Sequence, residues 1–313
     1  MVEYRMFEPG DEGAITNLFQ TVFSRSMSSE AWRWRYLHHP AGSANVMLAF
    51  FSDKLVGHYA ANAAPLSVDG SVISAALSMT TMTHPDFRGR GLFEKTANKL
   101  YGSLPDMGVA AVYGFPNAAV HALRQIKVGW RDIYEVPMLT LDLGSLSKLH
   151  NPDPTVVEID YVDERFDAFF QAVGPKLPVS GARSAAILAW RLDQHPDNRY
   201  TRLVLCEGSE ITGYAITKTY GVDSTDLVEL RCSDNAAARA LLSTVIARAS
   251  AAGHARLSTW CLPQETHRLV LESVGFKAGG PVTYFGGRTF LPISRDMFDS
   301  RFWRLSMLDS DLY

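Results

Sequence analysis

Apolar positions in the first half of the chain follow two different periods. Between residues 10 and 24, Ala14, Ile15, Leu18, Phe19, Val22 and Phe23 fall at helical spacing, and Asp11 stands where a cap belongs. A second helix is predicted over 29–37, ended by Pro40. Continuous apolar runs then predict strands at 45–51 (NVMLAFF) and 55–63 (LVGHYAANA), joined by a tight turn at Ser52, Asp53 and Lys54. Asp69-Gly70 inside LSVDGSVIS is a hairpin signal. Next come a strand over 76–84, a glycine-containing turn, a helix from about 91 to 102 and a buried strand of parallel type at 109–115. A helix over 117–127, with Gly129 just past its end, and a strand at YEVPMLTLDL close the half. The order α-α-β-β-β-α-β-α-β predicts an α/β sheet with helices packed against it.

The pattern then repeats. WRYLHHP (34–40) returns as WRLDQHP (190–196), which sets Trp34, Arg35, His39 and Pro40 on Trp190, Arg191, His195 and Pro196. The same offset carries Gly57 onto Gly213. A second block sets His121, Leu123, Val128, Gly129 and Trp130 on His267, Leu269, Val274, Gly275 and Phe276. Two blocks in the same order imply two domains of similar fold, 1–145 and 155–313. The boundary near residues 145–157 contains GSLSKLHNPDPT, rich in Gly, Ser, Asn and Pro.

Composition narrows the function. A chain of 313 residues suits two domains, and 47% hydrophobic with 20% charged residues is ordinary for a globular protein. A formal charge of -3 lacks the basic excess of a nucleic-acid binder. No apolar run is long enough for a membrane span, and MVEYRMFEPGDEG lacks a signal-peptide layout. Cys206, Cys232 and Cys261 form no CxxC pair, which argues against a disulfide framework or a zinc site. The expected compartment is the cytoplasm, and no metal is expected.

The stretch that carries chemistry is HPDFRGRGLF (84–93), which joins a strand to a helix. Two glycines let the backbone turn tightly, so that successive N–H groups face one hollow at the positive end of a helix. A diphosphate suits that hollow, and Arg88 and Arg90 can clamp its oxygens. A solvated turn with two surface arginines is the bland alternative. No Gly-Lys-Ser/Thr follows, so this is not the phosphate loop of nucleotide hydrolases.

HPDFRGRGLF resembles the acyl-CoA pyrophosphate loop of the GNAT superfamily of N-acyltransferases. Arg88 and Gly91 match the family pattern, and Phe93 departs from it, standing where Gly or Ala is common. The order of elements and FPN…LRQIKVGW are also similar, over roughly residues 3–143. The implied fold is two tandem GNAT-like domains, each a mixed, mostly antiparallel sheet flanked by helices. The second copy reads RCSDNAAARA (231–240) at the loop, without glycine, so acyl-CoA is expected in the first half only. WRWRY, GFPN and WRLSMLDSDLY resemble tandem members that act on nucleotide-linked amino sugars.

The resemblance implies roles for individual residues. The backbone of Arg88, Gly89, Arg90, Gly91, Leu92 and Phe93 would hold the pyrophosphate of acetyl-CoA or another acyl-CoA. The strand edge through Met82, Thr83 and His84 would pair with the pantetheine arm and polarise the thioester carbonyl. Asn117 would contact the arm or cap its helix. Many relatives place a Glu base on the strand before the loop, but SMTTMTH has none. His84 and His58 are candidate bases, and Asp309 and Asp311 are alternatives at the end of an expected strand, RFWRLSML, although a solvated tail is the simpler reading. The usual tyrosine acid is replaced by Gln125, with Tyr113 and Tyr134 as substitutes. Trp34, Arg35, Tyr59 and Tyr113 are candidate acceptor contacts, but recurrence of the Trp-Arg pair in both copies favours packing. The expected reaction is direct acyl transfer to a small-molecule amine by a monomer or homodimer. The alternatives are acylation of a peptide or antibiotic amine, or non-catalytic acyl-CoA binding.

Overall fold

The computed structural model describes residues 1–146, 150–311 and 313, so Ser147–Leu149 of the expected linker and Leu312 lie outside the described residues. The first half runs β1 (Val2–Met6), α1 (Glu12–Phe23), α2 (Ser29–Leu37), β2 (Asn45–Phe51), β3 (Lys54–Ala63), β4 (Leu66–Val68), β5 (Ser71–Ile73), β6 (Ala75–Thr83), α3 (Leu92–Ser103), β7 (Ala111–Gly114), α4 (Ala118–Val128) and β8 (Arg131–Asp142). The second runs β9 (Val156–Ile159), α5 (Arg165–Val173), β10 (Val179–Gly181), α6 (Ala185–Leu192), β11 (Thr201–Glu207), β12 (Glu210–Tyr220), β13 (Ser224–Cys232), α7 (Asn235–Ala251), β14 (Arg256–Thr259), α8 (Arg268–Ser273), β15 (Lys277–Thr289) and β16 (Trp303–Arg304).

Local sequence accounts for most of these elements. Burial of Ile15, Leu18 and Phe19 docks α1, and Ser28 caps α2 through its hydroxyl on the Ala31 N–H. Asp69 and Gly70 both take positive φ, as the β4–β5 hairpin turn requires. Three expectations are corrected. Asp11 makes no side-chain cap, because its carboxylate is held by Arg5 at 2.7 Å. β1 was not expected, yet it pairs with Met47–Phe51 of β2. RFWRLSML is not a long strand. Only Trp303–Arg304 is extended, and the rest folds into short 3-10 turns that bury Met307, Leu308 and Asp309.

Twelve strands make one sheet, in the order β1-β2-β3-β6-β7-β15-β8-β14-β13-β12-β11-β9. The two strands at its centre have changed places. β8 follows α4 but pairs with β14, whereas β15 follows α8 but pairs with β7. A second sheet, β16-β10-β4-β5, ties the first-half hairpin to the second half. No described helix is long and apolar enough to cross a membrane.

The sequence repeat is an interface between its own copies. Trp34 and Trp190 stack at 4.6 Å, 11° from parallel. Each indole N–H donates to the other residue's carbonyl, at 3.0 and 3.1 Å. His195 covers Trp34 and His39 covers Trp190, so the motif packs against itself about a pseudo-two-fold axis.

Candidate active site

β6 and β7 are parallel partners only where Ala75–Leu77 meet Ala111–Tyr113. β6 then continues to Thr83 while β7 ends at Gly114, so the strands part and β6 keeps a free edge. A Cβ on Gly114 would lie 2.9 Å from the Ser78 carbonyl oxygen, so the fork needs glycine. Against β3, β6 carries a bulge: His58 faces Met82 and Ala60 faces Met79, which leaves Thr80 and Thr81 opposite Tyr59. Thr80 has φ 47°, a costly conformation for a β-branched residue. His58 supports it by donating its Nδ1–H to the Thr80 carbonyl at 2.8 Å, since a carbonyl can only accept. Burial pushes the His58 pKa down to about 4, so the ring is neutral.

The loop from β6 to α3 begins with a short 3-10 turn, Pro85–Phe87, capped by His84 Nδ1 on the Asp86 N–H. Gly89 (φ 74°) and Gly91 (φ 73°) then take left-handed conformations and turn the chain into α3. Among the described residues, the N–H groups of residues 89–94 have no hydrogen-bond acceptor. Arg88 and Arg90 have no ion-pair partner there either, although Arg90 lies 5.0 Å from the Phe87 ring. Phe93, the departure from the family pattern, turns its ring onto Tyr59.

The structure sorts the other expected site residues. Met82, Thr83 and His84 lie along the free edge between bulge and loop. Asn117 caps α4 by accepting from the Val120 N–H at 3.2 Å. Tyr59 is fully buried, with its hydroxyl 2.6 Å from that of Tyr101 and accepting from Ser78. Tyr113 faces the opposite side of the sheet, where burial and the charge of Asp309 raise its pKa. Trp34 and Arg35 belong to the repeat interface and are not brought to the fork. Asp309 is not at the end of a solvated tail: it is buried and held by Arg183 at 2.6 Å. Asp311 is half-buried, and its charge acts on Arg191.

Two groups of residues were missed in the sequence. The first is Arg124 on α4, only 4% exposed, whose NH2 reaches toward Thr81 on β6. The second is a buried network in the other half. Arg183 binds Glu229 at 2.8 Å and also Asp309, while Arg231 pairs with the same Glu229. Strand register explains its position. Gly213 faces Cys232 as Gly57 faces Thr83, and Tyr214 faces Arg231 as His58 faces Met82. Glu229 thus faces Ile216 as Met79 faces Ala60 in the first half. The turn after β13 also differs: Asp234 caps α7 by accepting from the Ala236 and Ala237 N–H groups.

Residues 3–131 match the family model described as "Acetyltransferase (GNAT) domain". Sequence comparison with curated proteins gives no match. Solved structures of similar fold include an Enterococcus faecalis V583 protein described as "Probable N-Acyltransferase" (TM-score 0.74, 14% identity, covering 92% of this chain and 73% of that one). A GCN5-related N-acetyltransferase from Kribbella flavida aligns with TM-score 0.71 and 14% identity, over 92% of this chain and 71% of its own. One from Anabaena variabilis aligns with TM-score 0.72 and 12% identity, over 91% and 72%. Residues 3–131 therefore match a GNAT acetyltransferase domain, and the chain as a whole has a GNAT-like fold.

Proposed function

We propose that the protein is an acyl-CoA-dependent N-acyltransferase, with acetyl as the acyl group and the primary amine of a nucleotide-linked amino sugar as acceptor. The observation that carries this reading is the run of unclaimed N–H groups at residues 89–94, flanked by unpaired Arg88 and Arg90. A buried or ligand-covered N–H needs an acceptor, and a diphosphate supplies several at once. Residues 1–145 act as the acyl-CoA unit and 155–313 as a degenerate copy that shapes the acceptor side, in a cytoplasmic enzyme.

The acceptor enters from the face of the sheet away from α3. A cavity of about 70 Å³ lies there between the halves, lined by Asn62, Met79 and Tyr113 from one and Arg183, Arg191 and Asp309 from the other. A water occupies about 30 Å³ in the liquid, so the space suits the amine end of a ligand. Among the described residues, Asn62 Oδ1 and Arg191 Nε on its wall are buried without partners, one ready to accept from an amine and the other to donate. Beside the tryptophan pair, a groove of about 340 Å³ lined by Arg25, Ser28 and Arg35 suits the anionic nucleotide. In the ternary complex the neutral amine attacks the thioester carbonyl, which N–H groups near the β6 bulge polarise. With Asp309 held by Arg183, Asp311 or water takes the amine's proton.

The test is a thermal-shift titration with acetyl-CoA on wild type and an Arg88→Glu/Arg90→Glu variant, followed by thiol-release assays over an amine panel. Stabilisation in wild type alone, with turnover on nucleotide-linked amino sugars, is expected. Turnover confined to peptide or antibiotic amines overturns the acceptor, and binding without turnover on any amine overturns the enzyme.

A further inference from the structure

We infer that Arg124 is the residue that receives the leaving thiolate, an inference that rests on the acyl-CoA reading above. Arg124 sits on the inward face of α4, next to Gln125, which turns outward to Asp132 at 2.6 Å. Its guanidinium lies between α4 and the free edge of β6. NH2 is 3.5 Å from Thr81 Oγ1, on the bulge, and the charge lies 4.3 Å from the Trp130 ring centroid.

No carboxylate pairs with Arg124 among the described residues, and its Nε and NH1 are buried without hydrogen-bond partners. The groups around it are Thr81, Tyr59, Tyr101 and Trp130, none of them a carboxylate. The polar groups of this helix face the other way: His121 and Gln125 bond Asp132 of β8 on the outer face. A buried cation offset only by aromatic rings, with no counter-ion, is costly and is well placed to meet an anion. Every other buried arginine with a role in packing here reaches a carboxylate or a carbonyl, as Arg183, Arg231 and Arg191 do.

The path of the ligand brings an anion to it. With its diphosphate on the loop at residues 89–94 and its arm along the free edge of β6, acyl-CoA carries its sulfur past Thr83 toward the bulge, where Arg124 meets Thr81. When the amine nitrogen bonds to the carbonyl carbon, the C–S bond breaks and its electron pair stays on sulfur. The proton lost by the amine goes to Asp311 or water. Arg124 meets the thiolate with its charge and the N–H groups of its unpartnered Nε and Nη1, so no tyrosine acid is needed at the position of Gln125.

The experiment titrates the thiol of bound CoA by thiolate ultraviolet absorbance, with the apoprotein as blank. Burial pushes the thiols of Cys232 and Cys261 up, which keeps them out of the window. In wild type the bound thiol is expected to ionise with at least a tenfold larger constant than free CoA. Arg124→Gln should return it to the free value while CoA still binds, and Arg124→Lys should keep most of the effect. A bound thiol that titrates as in free CoA, or one that stays acidic in Arg124→Gln, overturns the inference and leaves acyl-CoA binding intact. Absence of CoA binding in wild type overturns both. If Arg124→Gln fails to fold, Arg124→Met takes its place: a bound thiol as acidic as in wild type overturns the inference, and one returned to the free value bears it out.

Discussion

The two halves answer the same structural question in opposite ways. Each has a strand that parts from its parallel neighbour and feeds a helix whose first N–H groups need acceptors. After β6 the chain spends residues 84–91 on a turn with two left-handed glycines, and the N–H groups stay open. After β13 it spends only Ser233 and Asp234, and the Asp234 carboxylate occupies the place an external anion would take. The fork above each turn differs in the same sense. In the first half it holds one unpaired arginine. In the second, Arg183, Glu229, Arg231 and Asp309 fill it with a closed set of charges. Among the described residues, one copy leaves its buried charge without a counter-ion and the other pairs its buried charges with one another.

The largest effects should come from what the copies share. Trp34→Ala and Trp190→Ala should each cost about 3–5 kcal/mol in denaturant unfolding, because each removes a buried indole and its cross-interface hydrogen bond. The double variant should cost clearly less than the sum, since both remove one interaction. Strict additivity would show that the pair does not act as one interface. Arg183→Ala should cost a similar 3–5 kcal/mol by stranding Asp309 and leaving Glu229 to Arg231 alone. Arg88→Glu/Arg90→Glu, at the open copy of the turn, should stay within about 0.5 kcal/mol of wild type.

Acid should act on both halves at once. Burial lowers His39, His58 and His267 to about 4 and His195 to about 3. Nδ1 of His39 and of His195 already accepts backbone N–H bonds, which protonation would break. The unfolded chain takes up protons as pH falls through about 6.5, and the native state does not until near those lowered values. Stability should therefore be level above pH 6.5. Below it, each histidine should remove about 1.4 kcal/mol per pH unit. Urea midpoints across that window, with His39→Gln and His195→Gln showing shallower slopes, check this.

The smallest effect sharpens the contrast most. Asp234→Ala should cost about 1 kcal/mol as a lost cap. It should not create acyl-CoA binding, because the turn after β13 has neither the length nor the glycines to present the freed N–H groups. A second acetyl-CoA site in Asp234→Ala, seen by calorimetric stoichiometry, would refute that account.

Much of this was legible in the chain. HPDFRGRGLF shows its strand, its two-glycine turn and its helix because these are contiguous in the chain. The repeat was visible as a repeat, but not that its copies pack on each other, since nothing local says which surface a tryptophan covers. The exchange of β8 and β15 depends on long-range register and leaves no local mark. The alternation of Trp303, Leu305 and Met307 looked like a strand, yet the segment buries the same side chains in turns docked on the second half. Arg124 reads as an ordinary charged helix position. Only the geometry of the fork shows that it points inward and unpaired.

The central claim is that the β6–α3 turn is the acyl-CoA site and its second-half counterpart is not. The most direct measurement is acetyl-CoA binding by titration calorimetry to wild type and to Arg88→Glu/Arg90→Glu. The account predicts one site per chain in wild type, lost or greatly weakened in the variant, with the melting temperature of the free proteins unchanged. Binding that persists undiminished in the variant, or two sites per chain in wild type, would contradict it.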